Sequence, residues 1–347
     1  MKNNFFIEKI MGKGDLSFSS EFDKCWYKTL DDICLVHKNA SQLRVGNRLR
    51  PKLTAWGYSF NQNPHKGIDF SNITDIAVSI ELIHKASIII DDYIDNDTKR
   101  NGLPSFHCEF SSNEAILFGM YLLGLAARKI IDNTNYISKD DFSTLKNNIH
   151  LFSDIICQMT MGGIKEITMD NIDFSNIDLV KDIISLETVS IIKNSILMGY
   201  FKSKDNNKKN EYLLKQIGDK CGYVFQILND LEPFSKNNRN ITHKGRVNID
   251  ITQSRKNIIF SYIYNMSSYD DKNKIIYTSL SSDLQRYLDN LYIKYNVRDI
   301  VLADLEIIKQ DIFNNINLLS PYSKEWKCDF QQFVKEMIVY CIDRTGG

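Results

Sequence analysis

Two aspartates placed to share one face of a helix are the clearest chemical feature of this chain. In Asp91-Asp92-Tyr93-Ile94-Asp95, Asp91 and Asp95 lie one turn apart if the helix continues through Ile94, and like charges at that spacing repel. A cation between them would relieve the repulsion. The motif also ends an apolar helix, where carboxylates oppose the helix dipole, so a ligand explains their placement better than folding does. A second apolar helix finishes the same way, in Asn229-Asp230-Leu231-Glu232-Pro233. Side by side, two such helices would enclose a deep apolar cavity with a hydrophilic mouth, suited to a long hydrocarbon with an anionic head. Mg²⁺ is held by one or two carboxylates plus substrate phosphates, so a few aspartates suffice if a diphosphate brings the other oxygens. The metal would make that diphosphate a better leaving group. An allylic substrate would then break to a carbocation, which dry walls protect from water and an aromatic face stabilises.

Other uses of these carboxylates fit less well. A calcium loop starting at Asp95 requires glycine at its sixth position and glutamate at its twelfth, and the chain has Arg100 and Phe106 there. A glycosidase-like acid/base pair does not sit naturally behind an apolar helical run. A solvated acidic helix end is the plain structural alternative. His107, His150 and His243 have no second ligand at helical spacing and read as structural.

The elements that must position the aspartates are helical. With 43 Lys+Arg against 43 Asp+Glu in 347 residues, no surplus charge steers the chain to nucleic acid. Only 5 Pro and 16 Gly interrupt it, and 43% hydrophobic residues can fill a large core. Residues 1–19 read as a loose leader and 20–347 as one all-α domain. Helical periodicity predicts helices over 21–39, 74–96, 113–132, 140–170, 176–201, 211–232, 256–267, 272–296, 298–317 and 324–343, with another opened by Pro51. Asn47, Arg48 and Arg50 before it form a basic turn that on its own reads as a solvated turn, with an anion site at the helix N-terminus as the alternative. Gly119, Gly124 and Ala126-Ala127 would let helices approach closely, and the polar stretch 234–250 is long enough for a lid. Seven scattered Cys without a CxxC pair, no early apolar leader and no 18-residue apolar run point to a cytoplasmic protein that does not span a membrane.

At this level of detail the chain resembles the trans-isoprenyl diphosphate synthase family, whose hallmark is DDxxD followed by a basic RRG-x-P-x-x-H turn. His84 through Asp95 and Arg100-Asn101-Gly102-Leu103-Pro104-Ser105-Phe106-His107 follow that pattern closely. Gly46-Asn47-Arg48-Leu49-Arg50-Pro51 is similar to the family's GKRxRP, Phe225-Gln226 precedes the second acidic motif, and Lys244-Gly245 and Asp250-Ile251-Thr252-Gln253-Ser254-Arg255 are similar to its KG and DITEGK. The likeness covers about residues 40–260. It implies an all-α bundle around a deep apolar cavity and a homodimer. It also implies that Asp91 and Asp95 ligate Mg²⁺ with Asp92 in support, and that Asn229 and Asp230 form the second metal motif. Arg100 would hold the allylic diphosphate, and Arg48, Arg50 and His84 would face the acceptor, isopentenyl diphosphate in the family. Gln226 would stand near the reacting centre and Arg255 on the diphosphate, with Thr188 and Lys244 among the substrate-binding residues. Ala86 and Ser87, where a bulky residue closes the family's tunnel in some members, leave room for a C15 or C20 donor; Met120 and Tyr121 are candidate stops.

The departures concern the acceptor's diphosphate site, a phosphate-facing cation and the second metal motif. Asn47 replaces a lysine, Asn101 an arginine, Glu187 the lysine of Lys-Thr, and Gly163 the glutamine of Gly-Gln, while the second DDxxD is eroded at Asn229 and Pro233. Two lost charge-assisted contacts, at about 1.5–3 kcal/mol each, would weaken acceptor binding by about a hundredfold to ten-thousandfold. The reading these losses favour is transfer of the prenyl group to an acceptor other than isopentenyl diphosphate. A terpene synthase that cyclises or deprotonates the cation, and a geranylgeranyl or polyprenyl diphosphate synthase or accessory subunit, are the alternatives.

Overall fold

Long stretches of apolar side chains at helical spacing, with few breakers, fold here into helices packed on helices. The computed structural model describes residues 13–37, 43–44, 46–60, 62, 68–100, 102–133, 139–169, 175–203, 205, 207–234, 256–278, 284–320 and 324–344. The first half comprises α1 (Lys13–Val36), α2 (Leu49–Ser59), α3 (Ser71–Ile94), a hairpin of β1 (Lys99–Arg100) and β2 (Leu103–Pro104), α4 (Phe106–Glu109), α5 (Ser112–Asp132) and α6 (Lys139–Ile167). The second comprises α7 (Ile177–Ile184), a π-helical turn (Ser185–Val189), α8 (Ser190–Lys202), α9 (Lys208–Asp230), a 3₁₀ turn (Glu232–Phe234), α10 (Ile258–Met266), α11 (Tyr269–Thr278), α12 (Leu284–Lys294), α13 (Val297–Leu318) and α14 (Lys324–Arg344). The all-α expectation holds. Of the stretch expected as one helix over 272–296, the described parts fall in α11 and α12, with 279–283 outside the described residues, and α1 already runs through 13–19, where Phe18 is buried.

Helix α3 lies at the centre because almost its whole circumference is apolar. Ile73, Ile76, Ala77, Val78, Ile80, Leu82 and Ile83 are all buried, and α1, α2, α5 and α8 pack around it. A helix hydrophobic on every side must be enclosed. Its polar residues find partners: the Ser79 hydroxyl donates to Ala126 O at 2.8 Å, fixing α3 against α5. On the α5 side, a Cβ at Gly119 would come within 2.8 Å of Ile90 Cγ1, so this glycine and buried Ala126 set the close approach. Gly124 faces open space and plays no such part.

Helices α2 and α8 cross more tightly. A Cβ on Gly57 would collide with Ile196 O, and one on Gly199 with Thr54 O, so the two backbones meet where neither has a side chain. From outside, α14 covers α2, stacking Trp326 on Trp56 at 4.2 Å, and the Trp326 indole N–H donates to Ser59 Oγ at 3.1 Å. A packed core cannot absorb an added methyl without shifting backbone. Gly199→Ala is therefore expected to lower unfolding free energy by about 1–3 kcal/mol in denaturant titration, whereas Gly124→Ala leaves it unchanged or slightly higher.

Candidate active site

The end of α3 turns the chain back on itself. Asn96 takes a left-handed conformation (φ 53°), the Asp97 N–H donates to Asp92 O at 2.9 Å, and the Asn96 N–H donates to Tyr93 O at 3.2 Å. This is a Schellman closure, with asparagine where glycine is commonest. It directs the chain into the hairpin, in which Lys99 pairs with Pro104 and Arg100 with Leu103, and Gly102 supplies the positive φ of 82°. Arg100 thereby returns to the helix end. Its Nε donates to Asp92 Oδ1 at 3.0 Å and Nη2 bonds the same oxygen, while Asp91 and Asp97 carboxylates lie 3.9 Å from Nη2. Asp92 is thus turned away from the cavity, where burial raises its pKa against the opposing pull of Arg100. Asp91 and Asp95 face inward.

A cavity of about 440 Å³ opens beside this corner, within the range of small-molecule sites. Its α3 wall is formed by Ile83, His84, Ser87, Ile88, Asp91 and Asp95, and Leu123 of α5 and Ile156 and Met159 of α6 complete an apolar lining. Ser87 donates its hydroxyl to His84 O at 2.9 Å, so it presents a satisfied small side chain. Ala86 does not line the cavity but is buried in the α3–α5 seam, since it lies one helical position round from Ser87. Met120 and Tyr121 point outward from α5 and are not tunnel stops. Among the described residues no Phe, Tyr or Trp lines the cavity, so the expected aromatic face is absent from that lining.

The two arginines at the start of α2 separate in role. Arg50 lines the cavity, with Nη1 3.0 Å from His84 Nε2 and its guanidinium over the Phe225 ring at 5.7 Å. Its Nε is buried without a hydrogen-bond partner, and burial brings its pKa down to about 10. A desolvated cation with an unspent donor is suited to an anion. Arg48 points elsewhere: Nη1 bonds buried Glu81 at 2.5 Å and the guanidinium lies 4.9 Å from the Trp26 ring centroid, so it braces α2 against α1 and α3. Asn47 Oδ1 accepts the Leu49 N–H at 3.4 Å, a local turn contact where the resemblance predicts a cation.

The π turn and α9 form another wall. Thr188 donates to Gln226 Oε1 at 2.6 Å, and Gln226 Nε2 donates to Asp230 Oδ1 at 2.7 Å, fixing the orientation of the glutamine. Asp230 Oδ2 accepts the Ile258 N–H at 2.7 Å, so this carboxylate joins α9 to the first turn of α10. Asn229 and Glu232 also line the cavity. Lys244, Arg255, Asn101, His243 and the 235–250 stretch of the expected lid lie outside the described residues. Sequence reasoning missed Glu166 and Lys256, both of which line the cavity. Lys256 Nζ bonds Glu166 Oε2 at 2.8 Å and pairs with Glu187, and its backbone N–H reaches Glu166 Oε1 at 2.9 Å. The usable signal was Gly162-Gly163, which leaves space beside Glu187.

Asp91 and Asp95 meet the requirement for Mg²⁺ in donor type: hard carboxylate oxygens, one half-exposed, on one cavity wall. Among the described residues no group of three or more acidic, His or Cys side chains converges as a metal cage. Few protein ligands leave coordination positions for substrate oxygens and water, which suits Mg²⁺ better than a closed site.

His84 is held neutral. Burial lowers its pKa well below 6.5, and the neighbouring Arg50 charge adds to this. As pH falls through 6.5, the unfolded chain takes up a proton that folded His84 refuses, so stability present at neutral pH is lost on acidification. The wild type is expected to lose up to about 1.4 kcal/mol per pH unit below 6.5 from this group, and His84→Gln to lack that slope component in denaturant titrations between pH 7.5 and 5.

Comparison with known proteins agrees with this geometry. Residues 35–289 match the polyprenyl synthetase family model. A short chain isoprenyl diphosphate synthase of Methanocaldococcus jannaschii is 26% identical over 234 residues, 67% of this chain and 66% of the relative. A farnesyl diphosphate synthase of Buchnera aphidicola is 33% identical over 196 residues, 55% of this chain and 64% of the relative, so the matches span slightly less than two thirds of these proteins. In fold, the chain is similar to a geranylgeranyl pyrophosphate synthase from Corynebacterium glutamicum, solved with isoprenyl diphosphate and magnesium, at TM-score 0.77 and 16% identity, covering 97% and 99% of the two chains. A geranylgeranyl pyrophosphate synthetase from Pyrococcus horikoshii gives TM-score 0.77 at 21% identity, with the same coverage. With residues 35–289, most of its length, matched by the family model, the chain belongs to the polyprenyl synthetase family.

Proposed function

We propose that this protein is a Mg²⁺-dependent prenyl diphosphate synthase, which ionises an allylic prenyl diphosphate and adds the prenyl group to isopentenyl diphosphate. The observation that supports it is one cavity lined both by Asp91, Asp95 and Arg100 and by Arg50 and His84, two sets of side chains able to receive diphosphates, the first through Mg²⁺. The relatives named above, synthases by name, favour this over the transfer to a different acceptor that the substitutions alone would favour. Bound Mg²⁺ at Asp91 and Asp95 would offset diphosphate charge and stabilise it as a leaving group.

The chain's own groups account for the rest. Arg100, held by Asp92, would receive the donor's phosphate oxygens, and the bond between the prenyl carbon and the diphosphate breaks with its electron pair leaving on oxygen; the acceptor's double bond then supplies the pair for the new carbon–carbon bond, and the resulting cation loses a proton to the released diphosphate. Thr188 spends its hydroxyl proton on Gln226, so its oxygen lone pairs remain for a developing positive charge. Walls of Ile88, Leu123, Ile156 and Met159 keep water from that charge. Arg50 would orient the acceptor by its diphosphate, and neutral His84 can accept or donate a hydrogen bond beside it.

A second reading, transfer to a non-isoprenoid acceptor, is supported by Asn47 in its turn contact and by Glu187 on the cavity wall. Pairing of two copies through the outer face of α5 is supported by Leu117, Met120 and Tyr121, which leave that face apolar and exposed. A mass of one chain by light scattering at micromolar concentration would remove the pairing. Among the described residues no helix is long and apolar enough to cross a membrane, and the seven cysteines are free, which supports a cytoplasmic enzyme.

The assay is incubation with Mg²⁺ and farnesyl diphosphate, with and without isopentenyl diphosphate. A diphosphate longer by one isoprene unit is the expected product, and Asp91→Ala is expected to abolish it. Hydrocarbon or alcohol from the donor alone, or diphosphate release that needs another acceptor, would contradict the synthase reading.

A further inference from the structure

Lys256 is the single lysine lining the cavity among the described residues, and its charge is already engaged. Glu166 holds it twice, through Nζ at 2.8 Å and the backbone N–H at 2.9 Å, and Glu187 pairs with the same ammonium. The three side chains are only 13–17% exposed, so solvent and salt screen them weakly. The backbone at this point is anchored. Asn257, the next residue, caps α10 through Phe260 N and donates to Asp230 O at 3.3 Å. The lysine's four-carbon stem is therefore the part that can move, and its ammonium can change partners while the main chain stays in place.

Glu187 reaches this position because the sequence clears a path. A Cβ on Gly162 would collide with Glu187 Cγ, and a Cβ on Gly163 would lie 3.7 Å from Glu187 Oε1. The π turn carrying Glu187 also carries Thr188, whose neighbour Gln226 faces the reacting cavity. Two carboxylates thus share the one ammonium. An anion approaching Lys256 must displace a carboxylate and tolerate the second.

Resting on the diphosphate reading above, we infer that Glu166 and Glu187 are internal counterions competing with diphosphate for Lys256. The lysine is a diphosphate contact, and the two glutamates weaken its grip enough for pyrophosphate to leave after each turnover. No covalent step is involved; the exchange is one of ion-pair partners.

The test is calorimetric titration of pyrophosphate with Mg²⁺ into the full-length wild type, Lys256→Ala and Glu187→Gln, with inhibition by pyrophosphate measured in parallel. Lys256→Ala is expected to weaken pyrophosphate binding about tenfold or more, as loss of a charge-assisted contact does. Glu187→Gln is expected to tighten it several-fold. Opposite movement of the two variants is the signature, because a salt bridge that serves only folding would leave both affinities unchanged or weaken both. Either of those results in an active wild type overturns the inference alone. A wild type that binds no pyrophosphate with Mg²⁺ overturns the diphosphate reading and the inference with it. Should Lys256→Ala fail to fold, unchanged or weaker binding by Glu187→Gln is sufficient to reject the competition.

Discussion

One guanidinium surrounded by three carboxylates organises the functional half of this molecule. Arg100 is bound by Asp92 and approached by Asp91 and Asp97, and it reaches that place because Asn96 closes α3 in a left-handed turn. The arrangement solves an electrostatic problem. Acidic groups at a helix C-terminus are unfavourable on their own. A hairpin of a few residues supplies a cation locally. Arg100 draws Asp92 away from the cavity, while Asp91 and Asp95 line it, and α3, enclosed on nearly every side, fixes their direction.

Much of this was legible in residue spacing. Asp91 and Asp95 one turn apart predicted a shared face, and both line the cavity; Arg100, Arg50, His84, Ser87, Thr188, Gln226, Asn229 and Asp230 line it with them. What spacing could not supply was the direction of side chains near helix starts and seams. Arg48 and Arg50 are two residues apart, and a left-handed residue at position 48 sends one to Trp26 and the other to His84. Ala86 and Ser87 are adjacent, and 100° of helical rotation places only the second at the cavity. The Gly119 contact was readable as a small residue on an apolar helix, whereas Gly124 carried the same signal and faces outward.

Charge substitutions were the hardest feature to interpret from sequence. Glu187 in place of a lysine looked like loss of a cation, but the fold brings Lys256 from a distant segment to pair with it. A single-position reading of charge misses such relocation, because the compensating residue is close only after α6, the π turn and the residues before α10 have packed. Asn47 makes a turn contact at Leu49, and Arg50 is the nearby cation facing the cavity among the described residues. The bundle itself is similar across its length to that of a geranylgeranyl pyrophosphate synthase.

The central claim is that Asp91 and Asp95, and not the better-buried carboxylates around them, carry the metal that binds the donor's diphosphate. Crystals grown with Mn²⁺ in place of Mg²⁺ and a non-ionisable thiolo analogue of farnesyl diphosphate allow this to be read from anomalous scattering. The account predicts an anomalous peak within coordinating distance of Asp91 and Asp95, bridged to the analogue's diphosphate. A diphosphate seated at Arg50 and Lys256, with no peak beside Asp91 or Asp95, would contradict it.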